Sequence, residues 1–393
     1  MSELIQNTNL SRESFLYGFK EPEKKKPRKK KLAIVGAGLA GCITAMHYHL
    51  YGRNMQEKIT IYHDPNVPIE ETGQGTTPNI AGLIFIALDN SWYTHNKLDA
   101  TKKFGISYEG FAKRDIFHTF AFNTVSCHYR PNLLTKMILE SDLFDVVEKN
   151  IDDPESEIDA DWIFDCRGRT KNNPDDYESL SSPVNAVILA NKPGKTDLEF
   201  TRSVATPDGW TFVIPNIDST SYGYLYNNEI TDTEIAKKNL REIFGVEPQN
   251  EISFDSYVAK DIWRGERTVL NGNRVGFIEP MEASSAAFYK NIAEYSWDHI
   301  HGNVPKNFVS ARVRHTMKQI ETFLLWHYAH GSKYDTPFWK HAKSLWEEHT
   351  PHGDFNKMVD LCDKRNLIEH AVGTDLYAQW YTYSFKQWRD AYI

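Results

Sequence analysis

The chain has 393 residues, of which 40% are apolar, 25% charged and 13% aromatic, the profile of a globular protein long enough for more than one core. No apolar run approaches the roughly 20 residues of a membrane helix, and the N-terminus lacks the basic-then-apolar layout of a secretory signal, so a cytoplasmic protein without membrane contact is expected. Removing the seven positive charges of Lys24–Lys31 (KKKPRKKK) takes the net charge from −8 to −15, which argues against a nucleic-acid-binding body.

Residues 1–30 are polar, carry Pro22 and Pro27, and read as a disordered basic tail, with a basic arm for an acidic partner as the alternative. Lys31–Val35 (KLAIV) is a short apolar run ending in glycines, and Leu39–Leu50 follows with helical character. Ile59–Tyr62 (ITIY) reads as the next strand, so the start of the fold is a βαβ unit with a parallel pair. Further strands are expected at Ser107–Tyr108, Phe117–Phe122, Trp162–Phe164, Ala186–Leu189, Thr211–Ile214 and Tyr222–Tyr226. A helix over Asp232–Phe244 starts at a capping Asp and stops near Gly245. From about Ala283 strand signals vanish, and eight of the ten Trp residues lie at or after Trp210. The expected layout is a Rossmann-like α/β cofactor domain over 31–282, with substrate-facing strands around 100–122 and 200–226. A mostly helical layer over 283–393 packs against it.

Between the first strand and helix, Gly36, Ala37, Gly38, Leu39, Ala40 and Gly41 spell GxGxxG. The first glycine permits the tight turn, the second lets backbone approach a pyrophosphate, and the third lets helix and strand pack closely at a partially positive helix N-terminus. A dinucleotide is the expected ligand. Asp64, which follows the second strand after His63 and so sits one place late, is the candidate ribose ligand, and a turn-starting Asp before Pro65 is the alternative. Cys42, Cys127, Cys166 and Cys362 lie far apart with no CxxC pair and read as reduced buried thiols. His341, His349 and His352 lack a second ligand group at metal spacing, so no metal is expected.

NAD and FAD share the glycine fingerprint, and the rest of the chain separates them. GQGTTPNI (Gly73 to Ile80), ATKKFGISYEGF (Ala100 to Phe111), FHTF (Phe117 to Phe120), GWTFVIP (Gly209 to Pro215) and FIEPMEASS (Phe277 to Ser285) follow in that order. Together they resemble the flavin-dependent halogenases of the tryptophan halogenase family. DWIFDCRG (Asp161 to Gly168) and HYAHGSKYDTPFW (His327 to Trp339) support the likeness, which runs from about Lys31 to Trp339.

The resemblance implies roles for named residues. Lys103 matches the family's catalytic lysine, with Lys102 one place before it, and apolar Phe104 and Ile106 beside it would make its charge easier to lose. Glu282 matches the catalytic glutamate, which orients the oxidant and takes the ring proton. Pro280 and Met281, just before it, fall beside the flavin. Ser284 and Ser285 stand where backbone amides hold halide, and N–H groups at a helix start suit a small anion. His118 and Phe120 match the pair of rings that sandwiches a flat substrate, with Thr119 in place of a proline. Trp210, Phe212, Ile214 and Pro215 form the wall that keeps substrate from flavin, Phe212 replacing the second Trp of the family's WxWxIP. Ala283 and Ser285 also depart from the family's serine and glycine.

The activity implied is halogenation of an electron-rich arene by hypohalous acid made from reduced FAD, O₂ and halide. The partners implied are a separate flavin reductase and a small aromatic substrate, with a homo-oligomer also allowed. The chain stops short of the segment with which tryptophan-specific members grip the amino acid, so a more open pocket for varied arenes is expected. Two alternatives stay open: a flavin monooxygenase of the same fold, which would not need Lys103, and an inactive flavin-binding protein.

Overall fold

The computed structural model describes residues 28–69, 73–91, 95–120, 124–168, 174–302, 304–362 and 376–392. The expected tail over 1–27 and the end of the expected strand at 121–122 lie outside the described residues. Arg28 to Lys30 are placed, which corrects the tail's boundary: Arg28 pairs with Asp161, and Lys30 bridges to Gln56 beside the first strand.

Leu32–Val35 is apolar without alternation and buried along its whole length, as a strand covered on both faces must be. It lies in a six-stranded sheet in the order Trp263–Arg264, Thr268–Leu270, Trp162–Asp165, Leu32–Val35, Thr60–His63, Asp145–Glu148. Every pairing is parallel except the outermost, Trp263–Arg264 against Thr268–Leu270. The chain leaves the first strand at the point where its neighbours run off to either side, the place where doubly wound sheets bind ligands. The helix that follows, Leu39–Gly52, is bound to the later helix Ser284–Ile300 through the Tyr48 hydroxyl, which donates to Ala293 O at 3.3 Å.

A second sheet of seven strands runs Asn250–Ser253, Ala186–Pro193, Ser219–Tyr226, Gly209–Pro215, Thr201–Thr206, Gly105–Glu109, Ile116–Thr119. It is antiparallel except where Thr201–Thr206 meets Gly105–Glu109. A short ribbon beside it pairs Thr101–Lys103 with Ser126–His128, setting Lys103 opposite Ser126. The helix Thr233–Phe244 forms as its sequence dictates: the Asp232 carboxylate caps Glu234 N, and Gly245 ends it at φ 62°.

From Ser284 the described chain is helical, in Ser284–Ile300, Lys306–Trp326, Pro337–Glu348, Phe355–Leu361 and Thr382–Tyr392, with one bridge between Tyr377 and Trp380. Its aromatics pack on one another. The ring of Phe323 stacks on Trp380 with centroids 4.1 Å apart, and Phe385 and Trp388 are fully buried. Among the described residues no helix is long and apolar enough to cross a membrane. All four cysteines are buried free thiols, and burial pushes Cys42 up to about 12.

Candidate functional site

The glycine loop is built by necessity at two of its glycines and left open at the third. Gly36 has φ 98° and donates to Tyr62 O at 2.8 Å, while a Cβ on Gly41 would lie 1.9 Å from Gly36 O. A Cβ on Gly38 would meet nothing within 4 Å, so the helix N-terminus faces free space there. Ala37 O accepts from Thr135 Oγ1 at 2.9 Å, Leu39 lies against Gly73, and Gly272 closes on Ala40. The first turn carries no acidic side chain to compete with an anion. An uncharged cradle over unpaired N–H groups fits the pyrophosphate of FAD. Asp64 directly follows the second strand, and its Oδ1 accepts from both the backbone and the side chain of Asn66 at 2.9 Å, which is the turn arrangement.

The loop after the second strand links this cradle to Lys103. Gly73, at φ 88°, sits beside Leu39; a Cβ on Gly75 would lie 3.6 Å from Lys103 Nζ and 3.4 Å from Ala283 Cβ. The Lys103 amine donates to Thr76 O at 3.0 Å and lies 5.6 Å from the centre of the Phe120 ring. Its burial is complete and lowers its pKa to about 8, with the nearby Glu282 charge acting the other way. Phe104 is 37% exposed, and the groups placed against the amine come from Gly75, Thr76 and Phe120. Lys102 points outward to Glu199 at 3.1 Å.

Glu282 sits in the turn that closes on the helix Ser284–Ile300. Oε1 accepts from the Tyr108 hydroxyl at 2.5 Å and contacts His327 Nε2 at 2.8 Å, and Oε2 accepts from Trp380 Nε1 at 3.0 Å. Burial opposes its charge, yet His327, the nearby His118 and the Tyr108 hydroxyl outweigh it and hold the carboxyl at about 2. Pro280 O accepts from Ala283 N at 2.9 Å, Met281 is buried beneath the turn, and Ala283 stands at φ 50°. That left-handed residue swings the chain so that Ser284, buried, and Ser285, half-buried, open the helix with amides that have no intrahelical acceptor.

Trp210 is wholly buried, and its indole N–H donates to Glu279 Oε2 at 3.0 Å. Glu279 also accepts from the Tyr328 hydroxyl at 2.6 Å and from Ser182 at 3.3 Å, and burial pushes its carboxyl up to about 7 despite these donors. Trp210, Phe212 and Ile214 share one face of Gly209–Pro215 by strand alternation, with the Trp210 and Phe212 ring centres 6.4 Å apart. Phe212 lies across Gly223 of the neighbouring strand, where a Cβ would come within 2.1 Å of its ring. The same alternation corrects Pro215, which falls on the opposite face and offers its carbonyl to Thr101 Oγ1 at 2.7 Å.

His118 reaches the same centre: its Nδ1 lies 4.0 Å from Glu282 Oε1 and its Nε2 2.9 Å from Ser384 Oγ. Burial lowers its pKa, which keeps the ring neutral. His118 and Phe120 alternate onto one side of their chain segment, one toward Glu282 and the other toward Lys103. Sequence reasoning assigned no role to Tyr108, Glu279, His327 or Trp380. The first three lie inside the quoted stretches ATKKFGISYEGF, FIEPMEASS and HYAHGSKYDTPFW, whereas nothing local to Trp380 marks it. Trp380 and the helix Thr382–Tyr392 fold back over Glu282 and His118, with Tyr383 bonded to Thr119 at 3.0 Å.

Comparison with known proteins agrees with this geometry. The family model described as tryptophan halogenase matches residues 31–143 and 144–389. Tryptophan 6-halogenase SttH of Streptomyces toxytricini is 29% identical over 155 residues, 37% of this chain and 29% of that enzyme. Tryptophan 7-halogenase RebH of Lentzea aerocolonigenes is 23% identical over 208 residues, 48% of this chain and 39% of that enzyme. The chain thus aligns with well under half the length of these relatives. In three dimensions it is similar to the crystal structure of the Streptomyces toxytricini enzyme, with a TM-score of 0.73 at 19% identity over 92% of this chain and 90% of that one. It is also similar to MibH, a lanthipeptide tryptophan 5-halogenase, with a TM-score of 0.75 at 18% identity over 94% and 87%. With a glycine cradle, a buried lysine and a caged carboxylate in place, and a family match spanning nearly the whole described chain, this protein belongs to the tryptophan halogenase family.

Proposed function

We propose that this protein is a flavin-dependent halogenase acting on electron-rich aromatic compounds, supplied with reduced FAD by a separate flavin reductase. Bound reduced flavin with O₂ would supply the oxidation of halide to hypohalous acid. The cradle of Gly36–Gly41 would hold the cofactor's pyrophosphate, and the amides of Ser284 and Ser285 a halide, because both are helix N-termini facing an anion. Trp210, braced by Glu279, would exclude the arene from the flavin side, so that only a small oxidant passes. Lys103 would hold that oxidant, either by hydrogen bonding or as a haloamine, and a buried amine near neutrality suits both. The rings of His118 and Phe120 would flank the arene, and Glu282 would take the ring proton.

The observation that carries this reading is the amine of Lys103, buried against Gly75 and Thr76 with Glu282 close enough to raise its pKa. A buried lysine with no direct ion pair among the described residues serves stability poorly and chemistry well. The test is mass spectrometry of an aromatic library incubated with protein, FAD, a reductase, O₂ and chloride, bromide or iodide in parallel. Halide-dependent mass gain lost in Lys103→Ala is expected. Product that carries oxygen and survives both that substitution and halide omission would show a monooxygenase instead.

A further inference from the structure

His327 Nδ1 lies 2.6 Å from the carbonyl oxygen of Phe323, one turn back on its helix, and Nε2 lies 2.8 Å from Glu282 Oε1. A carbonyl can only accept, so Nδ1 carries hydrogen. Nε2 then faces a carboxylate oxygen, and two lone pairs cannot meet at that distance, so a proton stands between them. The remaining contacts decide where it resides. Trp380 Nε1 can only donate, and it does so to Oε2 at 3.0 Å, while the Tyr108 hydroxyl donates to Oε1 at 2.5 Å. A carboxylate surrounded by donors is in its ionised, acceptor-only form, which leaves the proton on the imidazole.

We propose that His327 is held as an imidazolium by Glu282, so that the acid of this site is a proton-carrying Glu282–His327 pair rather than a lone carboxylate. The pair is fully buried, with His327 0% and Glu282 3% exposed. The titratable groups facing it are Tyr108 on Gly105–Glu109, His118 on Ile116–Thr119 and Lys103 on Thr101–Lys103. Of these groups and His327, His327 is the one whose two ring nitrogens meet both an obligate acceptor, the Phe323 carbonyl, and the carboxylate of Glu282.

The catalytic part of the inference rests on the halogenase reading. Transfer from hypohalous acid breaks the halogen–oxygen bond, forms the carbon–halogen bond and breaks the ring C–H bond, giving haloarene and water. The departing oxygen needs a proton and the ring releases one. The pair gives its proton to that oxygen through Glu282, takes the ring proton at Glu282, and ends as it began. His327 does not touch the arene; it is a positioning residue that acts through Glu282.

The test uses full-length protein labelled with ¹⁵N-histidine, without flavin, with the His327 signals assigned from their loss in His327→Gln. Both ring nitrogens are expected to carry hydrogen at neutral pH, and Glu282→Gln, whose carboxamide donates to Nε2, is expected to leave that nitrogen bare. A bare Nε2 in the parent protein overturns the proposal. Should His327→Gln not fold, the change caused by Glu282→Gln identifies the same signals. In the halogenation assay, His327→Gln is expected to lower kcat roughly 100-fold. It should also change the alkaline limb of the rate–pH profile, on which Lys103, lowered to about 8, acts as well. A parent profile retained in the variant overturns the catalytic part. If the parent makes no halogenated product, the halogenase reading fails, while the ring-nitrogen measurement still decides where the proton resides.

Discussion

At the scale of single residues, the site is dominated by ionisable groups placed where water cannot reach them, and each leaves a signature in stability. Lys103 drops to about 8 on burial, so between that pH and its ordinary range near 10.5 the unfolded chain binds more protons and stability rises with pH. Lys103→Met is therefore expected to stabilise the protein at pH 7 by on the order of 2 kcal/mol, the gain shrinking above pH 10. Denaturant titrations at both pH values check this, and a net loss at pH 7 would contradict the desolvation argument. Glu279 behaves in the opposite sense. Its carboxyl is raised to about 7, so its contribution is fully present below about pH 4.5 and is lost as pH rises through 7. Glu279→Gln should match the parent near pH 5 and exceed it at pH 8.5, by on the order of 2 kcal/mol, in thermal or chemical unfolding. Lys103 and Glu282 were legible in the sequence because each sits in a short stretch with family spacing. Their partners were not, since a hydrogen bond between Tyr108 and Glu282 spans 174 positions and follows from folding alone.

Among the elements, the strand–turn–helix of the cofactor cradle separates two uses of glycine. Gly41→Ala places a methyl within 1.9 Å of Gly36 O and should disrupt the turn itself, seen as a lowered Tm without any ligand. Gly38→Ala meets no protein atom within 4 Å, so the fold should be retained while FAD affinity falls roughly tenfold or more, measured by flavin fluorescence quenching. Equal affinity in the Gly38 variant would place the pyrophosphate elsewhere. This unit was readable in advance because its signals are local: a continuous apolar strand, spaced glycines, then a helix. The strand Gly209–Pro215 was also readable as an element, but its composition did not show that Pro215 leaves the face of Trp210. Alternation along the chain decides that.

On the scale of the whole molecule, the last helices complete the centre begun by the strands around residues 103–120 and the turn at Glu282. Trp380 stacks on Phe323 and donates to Glu282, while Ser384 and Tyr383 bond to His118 and Thr119. Trp380→Phe keeps the stack but removes the donor. It should cost about 1–3 kcal/mol in unfolding free energy, because Glu282 Oε2 is left buried without that donor. Unchanged stability in denaturant titrations would mean that the His327 and Tyr108 contacts suffice. None of this closure was visible from composition, for an aromatic-rich tail reads equally well as ordinary core.

The adjacency of His327 and Tyr328 has a practical bearing on redesign. One helix end grips Glu282 with the first of these residues and Glu279, the brace behind Trp210, with the second. Under the proposed function, selection for a wider passage or a bulkier arene that shifts this helix by a fraction of a turn will disturb both carboxylates together. Libraries that vary the passage and the proton chemistry as separate modules should therefore show strong epistasis, and paired randomisation across the two positions is the economical route to altered specificity.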